Sequence, residues 1–285
     1  MSVIRKLIKV ETPPAHQGFL GAGHTARAVI QSNYSNSDPF IMLMDDMLDK
    51  KDEKPVGGPH PHAGFETVTL LIEGELGDGI HKMKGGDFQM MTAGSGVIHT
   101  ETIQKQTKIR LLQLWLVLPK SARWNTPRVQ NISALNVPSI SKNGVQIKVY
   151  SGSFAGLTSP LSNYVPIIIA DVKMDAFALS IQSIPSTFNT FIYVLEGSVE
   201  IGDENKVIDQ YQVGWMNKFT EDIPSELKLK AGASGVRFIL YSAQPQGDPI
   251  VTHGPFIGDN QKDIMRLYDE YQQGKMKDIS LISAS

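Results

Sequence analysis

The sequence predicts an all-β chain in two similar halves, each a sandwich or barrel, with one α-helix near the C-terminus. Three observations predict it. Apolar runs are short, rich in Val, Ile, Leu and aromatic residues, and broken by Gly, Pro, Asn or Asp, as in residues 67–72, 109–118, 145–150, 164–172, 191–195 and 236–242. Long helical periodicity is nearly absent until the C-terminus. A strand, Glu-Gly, turn unit recurs about 120 residues apart, as Leu71-Ile72-Glu73-Gly74 and Val194-Leu195-Glu196-Gly197. Each copy is followed by a glycine entering a Met-containing strand, Gly86 to Met90 and Gly214 to Met216.

The elements follow in order. Residues 1–10 alternate charged and apolar side chains, which reads as a first strand and not as a secretion signal. Most prolines fall between the apolar runs, where they remove no ladder hydrogen bond. Asn, Ser, Pro and Gly concentrate over residues 131–143. That places a boundary there and gives domains at 1–135 and 136–285. Ile264, Leu267, Tyr268 and Tyr271 share one helical face, predicting a helix at about 260–273. Asp259 or Asn260 caps its start and Gly274 ends it.

Composition narrows the chemistry. Twenty-seven basic and 29 acidic residues leave a charge of −2, which argues against a nucleic-acid or anionic-membrane partner. No run approaches the roughly 18 apolar residues of a membrane span, so a soluble cytoplasmic protein is expected. The absence of cysteine removes disulfides, thiolate metal sites and thiol nucleophiles. Nitrogen ligands must come from seven histidines.

Four of those histidines carry no paired spacing. His16 and His24 lie in a Gly-rich stretch and are expected at the surface; His81 reads as a hairpin tip and His253 as a packing residue before the helix. The other three do. His60-Pro61-His62 and His99-Thr100-Glu101 are two i, i+2 pairs, and on extended chain such residues share a face. If the two segments lie side by side, three imidazoles and one carboxylate converge. That set suits one divalent first-row metal, Fe(II), Mn, Co, Ni or Zn, and octahedral geometry leaves two positions open. A chain of this length needs no metal as scaffolding. Between Thr100 and Thr252 there is neither His nor Cys, so a second copy of the site is not expected.

The stretch Gly58-Pro59-His60-Pro61-His62-Ala63-Gly64-Phe65-Glu66-Thr67, followed by Gly86-Asp87-Phe88-Gln89-Met90 and Gly94-Ser95-Gly96-Val97-Ile98-His99-Thr100-Glu101, resembles the pirin family of bicupins. Asp38-Pro39-Phe40, Leu112 to Pro119, Phe191 to Gly197 and His253-Gly254-Pro255-Phe256 support the likeness, which covers essentially the whole chain. The resemblance implies two cupin barrels (double-stranded β-helix, jelly-roll) face to face. It implies one iron in the first barrel, held by His60, His62, His99 and Glu101. A general cupin pattern would nominate Glu66 as the carboxylate ligand; pirins take the one two residues after the third His. Glu66 is therefore expected behind the ligands, orienting them. Two departures flank the mouth of that barrel: Ala63 stands where pirins commonly carry a basic residue, and the hairpin at 76–85 is shortened.

The resemblance also implies two roles. Some members resemble flavonol 2,3-dioxygenases (quercetinases), which take a flavonol and dioxygen. Here Glu101 would assist deprotonation of the substrate enol. Val68, Leu70, Ile72, Phe88, Met90 and Met91 are candidate lining residues by strand alternation, with the parity that faces inward left open. Others act without catalysis, as iron-dependent redox-sensing regulators that contact a protein partner.

Overall fold

The computed structural model describes residues 2–31, 34–77, 82–100 and 102–282. Eighteen strands matter for the argument, and they are numbered in chain order. The first is β1 (Leu7–Glu11), followed by β2 (Ala15–Gln17), β3 (His24–Ile30) and β4 (Phe40–Lys50). The histidine pairs lie on β5 (Pro59–His62) and β8 (Val97–Thr100), with β6 (Phe65–Glu73) and β7 (Phe88–Thr92) between. Next come β9 (Thr107–Val117) and β10 (Arg128–Ile132). The later half holds β11 (Ser139–Lys142), β12 (Val145–Ser151), β13 (Ile167–Met174), β14 (Leu179–Ser183), β15 (Asn189–Ile201), β16 (Val213–Met216) and β17 (Ser225–Ala243). A short β18 (Lys277–Asp278) follows the helix.

The chain folds into two compact all-β units, one spanning 14–135 with 246–285, the other 1–13 with 136–245. Their main sheets repeat strand for strand. The first runs β10-β7-β6-β9-β4-β3-β2, the second β1-β16-β15-β17-β13-β12-β11. Register repeats too. Val68 lies opposite Leu114 and Met90 in the first unit, as Phe191 lies opposite Tyr241 and Trp215 in the second. A buried ion pair marks the same place in both. Arg110 grips Asp45 through two 2.9 Å bonds, and Arg237 grips Asp171 at 3.2 and 2.8 Å. The weak Glu-Gly repeat thus belongs to a whole duplicated barrel.

The division at 1–135 and 136–285 needs correction at its ends, which are exchanged. Residues 2–13 serve the second unit, where β1 pairs with β16, Leu7 opposite Met216 and Glu11 opposite Val213. The first unit fills the equivalent position with β10, beside β7. The exchange has a simple cause. An edge left bare on β16 exposes a row of unpaired N–H and C=O groups, and the opening strand covers it. The C-terminal segment returns to the first unit. Its helix, Gln261–Gln272, starts at Asn260, whose side chain accepts from the Asp263 N–H while Asp263 reaches back, a capping box. Ile264 and Leu267 bury against Ala63, Phe256 and Met276. Among the described residues no helix is long and apolar enough to cross a membrane.

Candidate metal centre

Two strands bring the histidines together. β5 and β8 pair antiparallel with His60 opposite His99 and His62 opposite Val97. Side chains alternate along a strand, so His60 and His62 share a face, and His99 meets them from the neighbour. Gly64 turns β5 into β6 at a positive φ of 87°, and a Cβ there would lie 1.9 Å from the Ile257 carbonyl oxygen. Only glycine lets the His-x-His strand bend that closely against the returning C-terminal segment.

One nitrogen from each of His60, His62 and His99 lies within 4.8 Å of the others, a group that could hold a metal ion. The ring centroids stand 4.2 Å (60 to 99), 4.9 Å (60 to 62) and 4.8 Å (62 to 99) apart. Nε2 of His60 is 2.7 Å from Nε2 of His99. Nδ1 of His60 lies 2.9 Å from the Gly58 carbonyl, which can only accept, so Nδ1 carries the proton and Nε2 the lone pair. Burial drives the His62 pKa down to about 2, with the His99 and His60 rings adding to the shift. The same burial, with His60 beside it, drives His99 to about 3. Both rings are neutral at physiological pH, the state a ligating imidazole needs.

These observations fit a cation. Neutral His99 either donates its one N–H to the His60 Nε2 lone pair across the 2.7 Å or carries that proton on Nδ1, and in the second tautomer both Nε2 lone pairs are free for an ion. Nitrogens bound at roughly 2.1 Å to one ion, at right angles, stand about 3 Å apart. Glu101, the expected fourth ligand, lies outside the described residues, as does His81. The described group is therefore three nitrogens.

Glu66 stays outside the ligand group, as expected, but its hydrogen bond goes to Thr92 and not to a histidine. It lies opposite Thr92 across the β6–β7 pair, accepts the Thr92 hydroxyl at 2.6 Å, and does not join the imidazole group. Sheet register gives the reason. His62 packs edge-on against Phe65 (5.2 Å) and Trp115 (5.2 Å), and Trp115 lies opposite Thr67. Odd-numbered residues of β6 thus face the histidines, and Glu66 points through the other face. The same register selects among the candidate lining residues. Val68 and Leu70, with Met90 and Phe88 opposite them, share the Glu66 face, whereas Met91 lies opposite Thr67 on the histidine side. Strand alternation could not choose because residues 65–71 are buried on both faces.

Other histidines sort as follows. His16 is exposed, and His253 is exposed with its ring 5.4 Å from Tyr268. His24 is not at the surface: it is 3% exposed, its Nε2 bonds Asp46 at 2.8 Å, and its Nδ1 accepts from the Leu20 N–H. It pins the glycine-rich loop. Sequence reasoning also missed β18, which runs parallel to β8 beside Val97 and Ile98, while Ile279 and Ile282 pack on Met91 and Val97. The signal was there as apolar residues just past Gly274.

Comparison with known proteins agrees with this architecture. A family model described as Pirin matches residues 23–116, and one described as the pirin C-terminal cupin domain matches 169–277. Pirin-1 of Arabidopsis thaliana is 32% identical over 251 residues, covering 84% of this chain and 83% of that protein. The chain belongs to the pirin family. Mouse pirin is likewise 32% identical, over 87% of this chain and 86% of its own length. A crystal structure described as quercetin 2,3-dioxygenase from Acinetobacter baumannii is 26% identical and covers 97% of this chain and 100% of that one, with a TM-score of 0.84. The two barrels of this pirin are thus cupin domains.

Proposed function

We propose that this pirin is a mononuclear metal-dependent flavonol 2,3-dioxygenase, with Fe(II) the metal of choice. The observation that carries the reading is the convergence of three neutral imidazoles in the first barrel. The full-length likeness to the Acinetobacter quercetin 2,3-dioxygenase supports it. His60, His62 and His99 hold the ion, and Glu101, next in sequence but one after His99, completes the set. Bound there, iron would supply Lewis acidity toward a substrate enol oxygen and one-electron chemistry with dioxygen.

The chain's own residues do the rest. The Gly58 carbonyl fixes the His60 tautomer and keeps Nε2 available. Phe65 and Trp115 wall one side of His62 with aromatic surface, which excludes water and offers a flat face to a flat substrate. Glu101, the carboxylate two residues after His99 in the sequence, takes the proton from the flavonol 3-hydroxyl. Oxygen consumption by the iron-loaded protein over a flavonol panel tests the reading. Quercetin-dependent uptake, abolished by His99→Ala and strongly slowed by Glu101→Gln, is expected. No uptake with any of the Fe, Mn, Co or Ni forms overturns it and leaves the regulatory role.

A further inference from the structure

The histidine side of the first barrel's main sheet carries polar groups that nothing in the chain satisfies. Register places them. Trp115, beside His62, lies opposite Thr67, and Thr67 lies opposite Met91. Two residues further along each strand, a step of about 7 Å, stand Gln113, Thr69 and Gln89, opposite one another in the same order. Gln89 is already engaged, donating its amide to Asn131 at 3.0 Å. Thr67 and Thr69 are only 3% and 5% exposed, and neither hydroxyl has a hydrogen-bond partner among the described residues. The Gln113 carboxamide has none there either.

Side-chain oxygens buried this deeply are ordinarily bonded. A barrel that only had to pack would place apolar residues in this row, and the next row does so: Leu71 lies opposite Leu111, both within one apolar cluster. The polar row thus lies between an apolar floor and the aromatic wall at His62. Solvent reaches it. On β9, Leu112, Leu114 and Leu116 of the far face are sealed, whereas Gln113 and Trp115 of the histidine face are half-buried. Met44, opposite Gln113 on β4, is half-buried as well. The histidine face is therefore open beside the very groups that lack partners.

We infer that Thr69 and Gln113 bind a second oxygen of the substrate, across an apolar ring from the oxygens that face the metal. A hydroxyl and a carboxamide each donate and accept, so a phenolic hydroxyl can be held from both strands at once. The ring between lies on Trp115 and Met91. The inference rests on the flavonol reading of this same site and narrows its substrate class to flavonols with hydroxyls remote from the chelating pair. Burial supplies the discrimination, because a ligand lacking that hydroxyl dries the site and leaves two polar groups unpaired.

Calorimetric titration of the full-length, Ni(II)-loaded protein without oxygen tests it, since binding is then read apart from turnover. Quercetin and 3-hydroxyflavone share the chelating oxygens, and only quercetin carries the additional ring hydroxyls. Quercetin should bind about tenfold or more tighter. Thr69→Val with Gln113→Met, which nearly conserves volume, should bring quercetin down to the affinity of 3-hydroxyflavone. The affinity of 3-hydroxyflavone should stay within about twofold, in a chain whose melting curve shows it folded. Thr69→Ser, which keeps the hydroxyl, should keep the preference. Equal affinities in the unaltered protein overturn the inference, as does the absence of saturable quercetin binding. So does a preference that survives the double variant, or a loss that falls equally on both ligands and makes the two residues structural. Oxygen uptake by the iron form judges the dioxygenase reading separately. Selective binding without uptake removes that reading and leaves the subsite; uptake with a preference that the variants do not change does the reverse.

Discussion

Nε2 of His99 stands 2.7 Å from Nε2 of His60, in a pocket whose burial disfavours the charged form of both His99 and His62. The folded state therefore presents a preformed set of neutral ligands, and an ion that binds only that state must stabilise it. Saturating Fe(II) or Ni(II), at a thousand times its Kd, should stabilise the chelated protein by about 4 kcal/mol. Thermal denaturation with and without metal measures it. His99→Ala should melt at one temperature in both conditions; a shift that survives this substitution would show the metal binding elsewhere.

Glu66 predicts a pH dependence of the opposite kind from an ordinary carboxylate. Burial pushes its carboxyl up to about 7, against the opposing pull of the Thr92 hydroxyl and Arg128. One oxygen accepts from Thr92 while Oε2 is buried with no partner. The folded state holds a proton that the unfolded state, with an ordinary Glu near 4.3, has already released. Stability from this group is full below the unfolded value and is lost as pH rises toward 7. Glu66→Gln keeps an oxygen for Thr92 and removes the charge. It should stabilise the protein at pH 8 by on the order of 1–3 kcal/mol, and change little at pH 4. Urea denaturation at both pH values decides; equal effects at the two would show Glu66 ionised in the folded chain throughout.

The two Arg–Asp clamps carry unequal weight. Asp45 has no exposed side-chain surface and Arg110 14%, whereas Asp171 and Arg237 have 8% and 26%. Removing the guanidinium from a fully buried carboxylate costs about 3–5 kcal/mol, and less where water reaches the pair. Arg110→Met should therefore lower stability more than Arg237→Met. Chemical denaturation of the two variants, with unchanged m-values, checks the order. Equal losses would mean that burial does not set the cost.

Much of this architecture is legible in the sequence. Short β-branched runs gave the all-β class, and the i, i+3, i+4, i+7 stripe with Asn260 gave the helix within a residue at each end. His60, His62 and His99 could be brought together because a period of two is enough to align ligands on neighbouring strands. What stayed hidden depends on long-range pairing. Nothing local tells that Leu7–Glu11 pairs with residues 213–216, or that Lys277–Asp278 lies along the His99 strand. The face that Glu66 occupies was hidden for a related reason: with residues 65–71 buried on both faces, hydrophobicity carries no information about which face holds the site.

The exchanged opening segment supplies the last prediction. Arg5 is fully buried, and burial lowers its pKa to about 10, so it is still charged at neutral pH. Its two terminal nitrogens satisfy carbonyls of the 185–188 turn, and Val3 and Arg5 bond the Pro224 and Glu226 backbones. A methionine fits the space but leaves those carbonyls short of donors, at about 1–3 kcal/mol for each buried group left unsatisfied. Arg5→Met should lower the melting temperature by several degrees, and Arg5→Lys should recover only part because an ammonium cannot span the fork. The clamp acts in the second unit, so metal affinity of the histidines in the folded variant should be unchanged. Titration of the variant with Fe(II) or Ni(II) separates the two effects. A loss of metal affinity that matches the loss of stability would show that the N-terminal segment supports the first barrel as well.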